Sequence, residues 1–528
     1  MVNRKVQVWL PLLFSVVMVL GMTIGYKLRE NTSMPGFFKM SNKSPMQEVI
    51  DLIQMKYVDP VKTDTLGNKA IQEMLSRLDP HSIYIPATRL TDINDELRGN
   101  FSGIGVEFQL FYDTVNVLNV LKNGPSDLAG IQVGDKIIAV NDTSKIAGVK
   151  IKPDNIRKLL RGERGSEVKV TVFRDGRLKP FTIKRGTIPT PSVDVAYMIT
   201  PETGFIHINM FNELTYREFM QSMEKLQASG MKKLIVDLRG NGGGLLNQAV
   251  KIADEFLDGN KLVVYTEGTH VPKYEYRCQR DGLFETGALT MLVDESSASA
   301  SEVLSGALQD WDRATIIGRR TFGKGLVQEQ FGLSDGSGLR LTVARYFTPL
   351  GRNIQKPYNK GYSAYEEEVY TRFHNGEVVR GDSTATSEPF KTKKGRTVYG
   401  GGGITPDIFV PYDTTALGTE ASRLYTKGTL SNFIYSYYIQ NKSRFTSYKT
   451  PLELSSGFKT TNAEWNALKD FAARDSIDLN KVTTKDREDL FRRIPPLMAR
   501  QIWRYEGYYE VMNNDDEFVK KALAVLKS

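Results

Sequence analysis

The stretch Asp294-Glu295-Ser296-Ser297-Ala298-Ser299-Ala300-Ser301-Glu302-Val303-Leu304 constrains this chain more than any other. The apolar run before it, Leu289 to Val293, reads as a buried strand. Small residues then make a turn. From about Ser299 the pattern is helical, with Val303, Leu304, Ala307 and Leu308 on one face. Ser299 therefore stands where a strand becomes a helix. A helix N-terminus offers unpaired N–H groups and a partial positive charge, and both favour an oxyanion. Ala298 and Ala300 leave room for another backbone to approach. Ser299-x-x-Glu302 is also a capping box. The serine thus closes off a helix or acts as a nucleophile, and the two roles are compatible.

A nucleophilic serine needs a base. The chain holds only four histidines, His81, His207, His270 and His374. Lys324 lies downstream in the glycine-flanked turn Phe322-Gly323-Lys324-Gly325, after the strand-like Thr315 to Ile317. Gln328 follows four residues on. An extended Gly323 to Gln330 puts Lys324, Leu326 and Gln328 on one face, where an amide can orient a neutral amine.

Ser-Ala-Ser-Ala-Ser-Glu, a helix ending Gly-Ala-Leu-Gln-Asp, and Gly-Arg-Arg-Thr-Phe-Gly-Lys-Gly-Leu-Val-Gln together resemble the carboxy-terminal processing peptidases, or tail-specific proteases. These are PDZ-containing serine proteases with a Ser–Lys dyad. The resemblance runs from about Leu78 to Pro411 and leaves both chain ends outside it. It implies that Ser299 is the nucleophile, Lys324 the general base and Gln328 its orienting partner. Ser297 and Ser301 are rival nucleophiles on residues alone, and the family's serine-to-lysine separation selects Ser299. It also implies a mechanism that needs no metal or organic cofactor.

The resemblance extends to the fold: an α+β multidomain chain with a mixed α/β, ClpP/crotonase-like protease core, an inserted β-rich PDZ domain and helical N- and C-terminal regions. The expected divisions are a membrane anchor or signal segment over 1–30, a linker and helical region over 31–97, a PDZ domain over 98–188, the protease core over 189–412 and a helical extension over 413–528. The net charge of +9 is spread without a basic stripe, which argues against nucleic acid as a partner. A lone cysteine, Cys278, permits no internal disulfide and no cysteine-cluster metal site.

Along the chain, Val6 to Tyr26 is a nearly unbroken apolar run without charge, preceded by Arg4 and Lys5. As a helix it would be about 31 Å long. It reads as an uncleaved single-pass anchor, with a cleaved signal peptide as the rival and the bulk of the chain on the periplasmic, extracytoplasmic side. Asn31 to Pro45 reads as a linker. Val49, Ile50 and Ile53, then Ala70 to Leu78, have helical spacing. Leu78-Asp79-Pro80-His81-Ser82 ends the second helix, with His81 as a turn residue.

Phe101 to Arg185 reads as the PDZ module. Gly103, Ile104, Gly105 and Val106 can form an anion nest for a peptide's terminal carboxylate, beside a helix holding Ile156 and Leu160. Its glycine pair alone would also make a plain turn. His207, in the strand Gly204 to Met210, has no carboxylate near it in sequence and reads as a packed or surface strand residue, with a Ser–His–Asp arrangement through it as the rival. Leu234 to Leu238 runs into Arg239-Gly240-Asn241-Gly242-Gly243-Gly244, which in the family faces the serine. By that match one oxyanion amide falls to Gly242 or Gly243, with Gly243 preferred, and the other to Ala300. Asp237 and Arg239 read as scaffold.

Tyr358 to Arg396 reads as an irregular insertion or mobile loop, and Asp413 onward as an aromatic-rich helical extension with a capping box at Thr461-x-x-Glu464. The expected partners are proteins or peptides with exposed C-termini, the membrane through the N-terminal segment, and a second copy or an adaptor through the extension, whose alternative role is to restrain the PDZ domain. The competing class is a catalytically inactive PDZ peptide-binding scaffold.

Overall fold

The computed structural model describes residues 4–31, 44–381, 388–413 and 417–527. The linker read over 31–45 lies almost wholly outside them. The chain forms two compact units, Met1–Ala70 and Ile71–Ser528.

The first unit holds the helices Arg4–Asn31 and Pro45–Lys56. The second of these starts at Ser44, whose hydroxyl accepts the Gln47 N–H at 3.4 Å. A further helix, Thr63–Ser76, crosses the division between the units. Among the described residues no helix is long and apolar enough to cross a membrane. This overturns the expected single-pass anchor and the periplasmic placement that depended on it. Arg4–Asn31 is 28 residues long, but Pro11 lies inside it. Ser15 and Thr23 also interrupt the run, each bonding back to a carbonyl one turn earlier.

The second unit is built on a six-stranded sheet. Its spatial order is Val193–Thr200, Thr203–Ile208, Lys233–Asp237, Ala288–Val293, Thr315–Gly318 and Ile408–Phe409. The first two strands form an antiparallel hairpin, and the rest run parallel. Parallel strands are covered on both faces, so they read as continuous apolar runs. Alternation then divides each run between two cores. Ile206, Leu234, Val236, Met291, Val293 and Ile316 face one core, with the helices Thr215–Ala228, Leu246–Asp254 and Ala300–Asp310. Phe205, Ile235, Leu292 and Ile317 face the other, where the last helix, Glu517–Lys527, supplies Val519, Ala522 and Leu526. The end of the chain is therefore part of the core.

A second sheet is centred on Gly338–Phe347. It pairs with Ile83–Ile85, Leu326–Gly332 and Leu262–Glu267, and Tyr274–Arg277 lies beyond. Between residues 103 and 184 a separate six-stranded antiparallel sheet carries the short helices Pro125–Ala129 and Pro153–Leu160 around Ile104, Val115, Ile137, Ile156 and Val170.

The insertion read as irregular holds the helix Tyr362–His374, the short helix Glu377–Arg380 and the hairpin Pro389–Lys391/Thr397–Tyr399; residues 382–387 lie outside the described residues. Its polar composition misleads because its charges are paired inward. Glu368 takes Arg372 at 2.8 Å, Arg320 at 3.1 Å and Lys356 at 3.2 Å.

The extension packs Leu424, Phe433, Phe445, Leu468, Leu490 and Met498 into its own core. Its long helix, Thr484–Met512, contains Pro495 and Pro496, which cannot donate to carbonyls a turn earlier. The Thr460 hydroxyl donates to one of these carbonyls, Phe491 O, at 3.3 Å. The helix kinks at Arg504, which has φ 61° and ψ −143°.

Candidate active site

The strand Ala288–Val293 ends at Asp294, whose carboxylate accepts the N–H groups of Ser296 at 3.0 Å and Ser297 at 3.1 Å. The turn so formed leads into the helix Ala300–Asp310, with Ser299 at its N-cap. Ser299 has φ 56° and ψ −114°, a strained conformation for a residue with a Cβ. Such strain costs about 1–3 kcal/mol and persists only where the surroundings enforce it.

The three serines of the motif separate cleanly. Ser297 is fully buried and its hydroxyl donates to Leu238 O at 2.8 Å. Ser301 is fully buried and its hydroxyl donates to Asn241 O at 3.0 Å. Only Ser299 is partly exposed. The motif's alternation thus commits two serines to holding the glycine turn and leaves the third partly exposed.

Glu302 ties the site together. It is fully buried, and its carboxylate accepts four donors. Oε2 takes the Ser299 and Lys324 N–H groups, each at 2.8 Å. Oε1 takes the Gly323 N–H at 2.7 Å and the Thr321 hydroxyl at 2.5 Å. The backbone nitrogens of Ser299 and Lys324 are therefore no further apart than two hydrogen bonds that meet at one oxygen. Burial pushes the Glu302 carboxyl up, and these donors hold it back. Its capping-box spacing was visible in the sequence, but its bonds to the lysine loop were not.

Lys324 lies just before the strand Leu326–Gly332 and is partly buried. Burial, and then the Arg340 charge, lower its pKa, while Glu302 and Asp79 pull it the other way. Its loop is fixed on both sides: Gly325 N–H donates to Gln355 Oε1 at 2.8 Å and Lys356 N–H to Gly323 O at 2.9 Å. Among the described residues no hydrogen bond joins the Ser299 hydroxyl to the Lys324 amine, or that amine to Gln328. Gln328 lies just past a bulge at Val327, which breaks the simple alternation expected from Lys324. Its Nε2 is buried without a partner among the described residues.

Two neighbours were not signalled by the sequence. Tyr346 is buried, and among the described residues its hydroxyl also lacks a hydrogen-bond partner. Burial and the Glu302 charge raise it well above its ordinary range. His81, read as a turn residue, does hold a turn, because its N–H donates to Asp79 Oδ1 at 2.8 Å. Its ring, however, is close enough to Lys324 to feel its charge. Burial first and that charge second bring it down to about 3, so the imidazole is neutral. Nε2 lies 2.7 Å from the Tyr365 hydroxyl, which belongs to the inserted helix.

The glycine turn meets the serine directly. A Cβ at Gly243, where φ is +98°, would lie 2.7 Å from both Ser299 Cβ and Ala298 O, so only glycine fits. The Gly243 N–H donates to Asn241 Oδ1 at 2.8 Å. Gly242 N–H and Ala300 N–H have no acceptor among the described residues. Asp237 and Arg239 pair with each other at 2.6 Å, consistent with their reading as scaffold.

His207 does have a carboxylate, supplied across the hairpin rather than along the chain. Asp194 Oδ1 is 2.6 Å from its Nδ1, and the Tyr509 hydroxyl is 3.2 Å from its Nε2. It shares the sheet face of Phe205, away from the serine helix.

Gly103 to Val106 lie in the antiparallel unit. The carbonyls of Ile104 and Gly105 bond inward to Ser126 N–H and Leu121 N–H, at 3.0 and 2.9 Å. Their own N–H groups have no acceptor among the described residues. Val106–Phe111 is an edge strand, and between it and the helix Pro153–Leu160 lies a groove of about 470 Å³.

Residues 202–361 match peptidase family S41, residues 102–184 match a PDZ domain family, and residues 421–504 match a family of unknown function, DUF8443. A probable CtpA-like serine protease of Staphylococcus saprophyticus is 35% identical over 314 residues, covering 58% of this chain and 62% of that one. Its counterpart in Staphylococcus aureus is 37% identical over 317 residues, covering 60% and 63%. The chain thus spans less than two thirds of the length of these curated relatives. Among solved structures, the photosystem II D1 C-terminal processing protease is 29% identical, with a TM-score of 0.34 and coverage of 58% of this chain and 89% of that one.

Proposed function

This chain belongs to peptidase family S41, and we propose that it is a serine endopeptidase that captures the C-terminal tails of proteins and cleaves them with a Ser299–Lys324 dyad. One observation carries the reading: a single buried carboxylate, Glu302, holds the backbones of both residues, and the lysine it holds has a lowered pKa.

The chemistry follows from those groups. Neutral Lys324 takes the Ser299 proton as Oγ attacks the scissile carbonyl carbon. The tetrahedral oxyanion accepts hydrogen bonds from the Ala300 N–H and from a glycine N–H of the turn. Gly242 has the unengaged N–H, and Gly243 can serve once Asn241 lets go. The Lys324 ammonium returns its proton to the leaving amine, and the acyl-enzyme forms. Lys324 then activates a water that releases the acid and restores Ser299. Gln328 orients the amine when substrate tightens the site, as catalytic contacts commonly do on binding. The open edge of Val106–Phe111 pairs with an extended tail, and the Ile104 and Gly105 amides take its terminal carboxylate.

The test is incubation with unfolded β-casein. The wild-type chain cleaves it, and Ser299→Ala does not while keeping the wild-type melting curve. Cleavage by Ser299→Ala at the wild-type rate would reject the assignment. Loss of stimulation by tail peptides on deleting residues 98–188 checks the capture step.

A further inference from the structure

The groove that would receive the tail is not made by its own unit alone. Arg500, from the long helix of the C-terminal extension, contributes to its wall together with Arg157 and Arg161. Two of these cations already have carboxylate partners. Arg157 pairs with Asp154 at 2.5 Å and Arg161 with Asp92 at 2.8 Å. Arg500 makes no ion pair among the described residues. It is held instead by Tyr505, whose hydroxyl is 3.1 Å from its guanidinium and whose ring centroid is 4.7 Å away. One turn further on, Arg504 pairs with Glu107 on the groove's edge strand, so the groove's own acidic residue is also taken. The same helix kinks at Arg504. Tyr435 of the extension donates to Val117 O at 3.1 Å from a buried position, and its ring packs 5.1 Å from Phe111. The extension is thus fastened to this unit at several points.

We propose that Arg500 gives the groove a second anion subsite, which takes an aspartate or glutamate side chain of the tail upstream of its terminal residue. This rests on the tail-capture reading. A chain whose terminal carboxylate is bound at Ile104 and Gly105 runs along Val106–Leu110, with alternate side chains directed across the groove. An acidic side chain there meets an oriented guanidinium that has no other counterion. The extension, whose matching family has no assigned function, thereby acts as a specificity wall.

The experiment is fluorescence anisotropy at low ionic strength, using the full chain with Ser299→Ala to prevent cleavage. The probes are fluorescein-labelled octapeptides ending in Val-Ala, with either Glu or Gln at the third and fourth positions from the end. A third probe is the Glu peptide with an amidated terminus. We expect the Glu peptide to bind about fivefold tighter than the Gln peptide, as a partly solvated ion pair allows. Arg500→Gln removes that difference, Arg500→Lys keeps part of it, and Lys158→Gln, an exposed cation outside the groove lining, leaves it intact. An undiminished preference in Arg500→Gln overturns the proposal, and so does equal binding of the two peptides to the unsubstituted groove. Loss of binding on amidation tests the capture reading separately. If the amidated peptide binds as well as the free acid, that reading falls and this inference falls with it.

Discussion

At the scale of single residues, the site contains two buried polar atoms with no partner among the described residues, the Tyr346 hydroxyl and Gln328 Nε2. A buried hydroxyl without a hydrogen bond costs about 1–3 kcal/mol, so such groups are kept for a reason. Tyr346→Phe should therefore raise the unfolding free energy by about 1 kcal/mol in urea titration, while lowering kcat. A purely structural tyrosine would leave kcat unchanged. Gly243 makes the opposite case, because its role is to be absent: Gly243→Ala places a methyl against Ser299 Cβ and Ala298 O. It should lower kcat about 100-fold or more, as loss of an oxyanion contact does, with a near-wild-type circular dichroism spectrum. Gly243 was legible in the glycine-rich turn. Ser299 and Lys324 were legible because their neighbours form a dense motif. Tyr346 was not, because an aromatic in a strand ordinarily means packing.

At the scale of elements, the serine helix and the lysine loop are joined through Glu302, and both its carboxylate oxygens are used twice. Glu302→Gln replaces one accepting oxygen with an NH2 that faces N–H donors. The expected result is a loss of about 3 kcal/mol in denaturant titration, together with loss of activity. An unchanged midpoint would mean that the loop is held by its other bonds. The strand–turn–helix was readable because apolar runs, small residues and a capping spacing all agreed. The inserted helix Tyr362–His374 was not readable. Its sequence Tyr362-Ser-Ala-Tyr-Glu-Glu-Glu-Val looks solvated, yet Tyr365 and Arg372 are buried against partners supplied by distant segments. The bulge at Val327 was equally invisible, since a bulge is set by the partner strand and leaves no mark in the periodicity of its own.

At the scale of the whole molecule, the C-terminal region is structural to the core, and one of its anchors is titratable. Burial lowers His207, but the Asp194 hydrogen bond and the charges of Asp237 and Asp194 outweigh it, so the net shift is upward. A raised histidine adds stability that is complete below its ordinary value of about 6.5 and is lost as the pH rises through the folded value. Amide exchange of the strand Thr203–Ile208 and of the helix around Tyr509 should therefore quicken from pH 6 to pH 8 beyond its intrinsic rate. His207→Gln should remove that excess. The sequence pointed to a helical extension without showing where it docks, because docking depends on alternate sheet residues such as Leu292 and Ile317 that read simply as core. A neutral lysine acting as base sets the pH dependence of kcat/KM for a tail peptide, measured in the wild type and in Lys324→Arg. The wild type should gain activity as pH rises through a lysine value below the ordinary one, and Lys324→Arg should fall by at least about 1000-fold at every pH, because a guanidinium does not give up its proton. Turnover by Lys324→Arg within tenfold of wild type would contradict it.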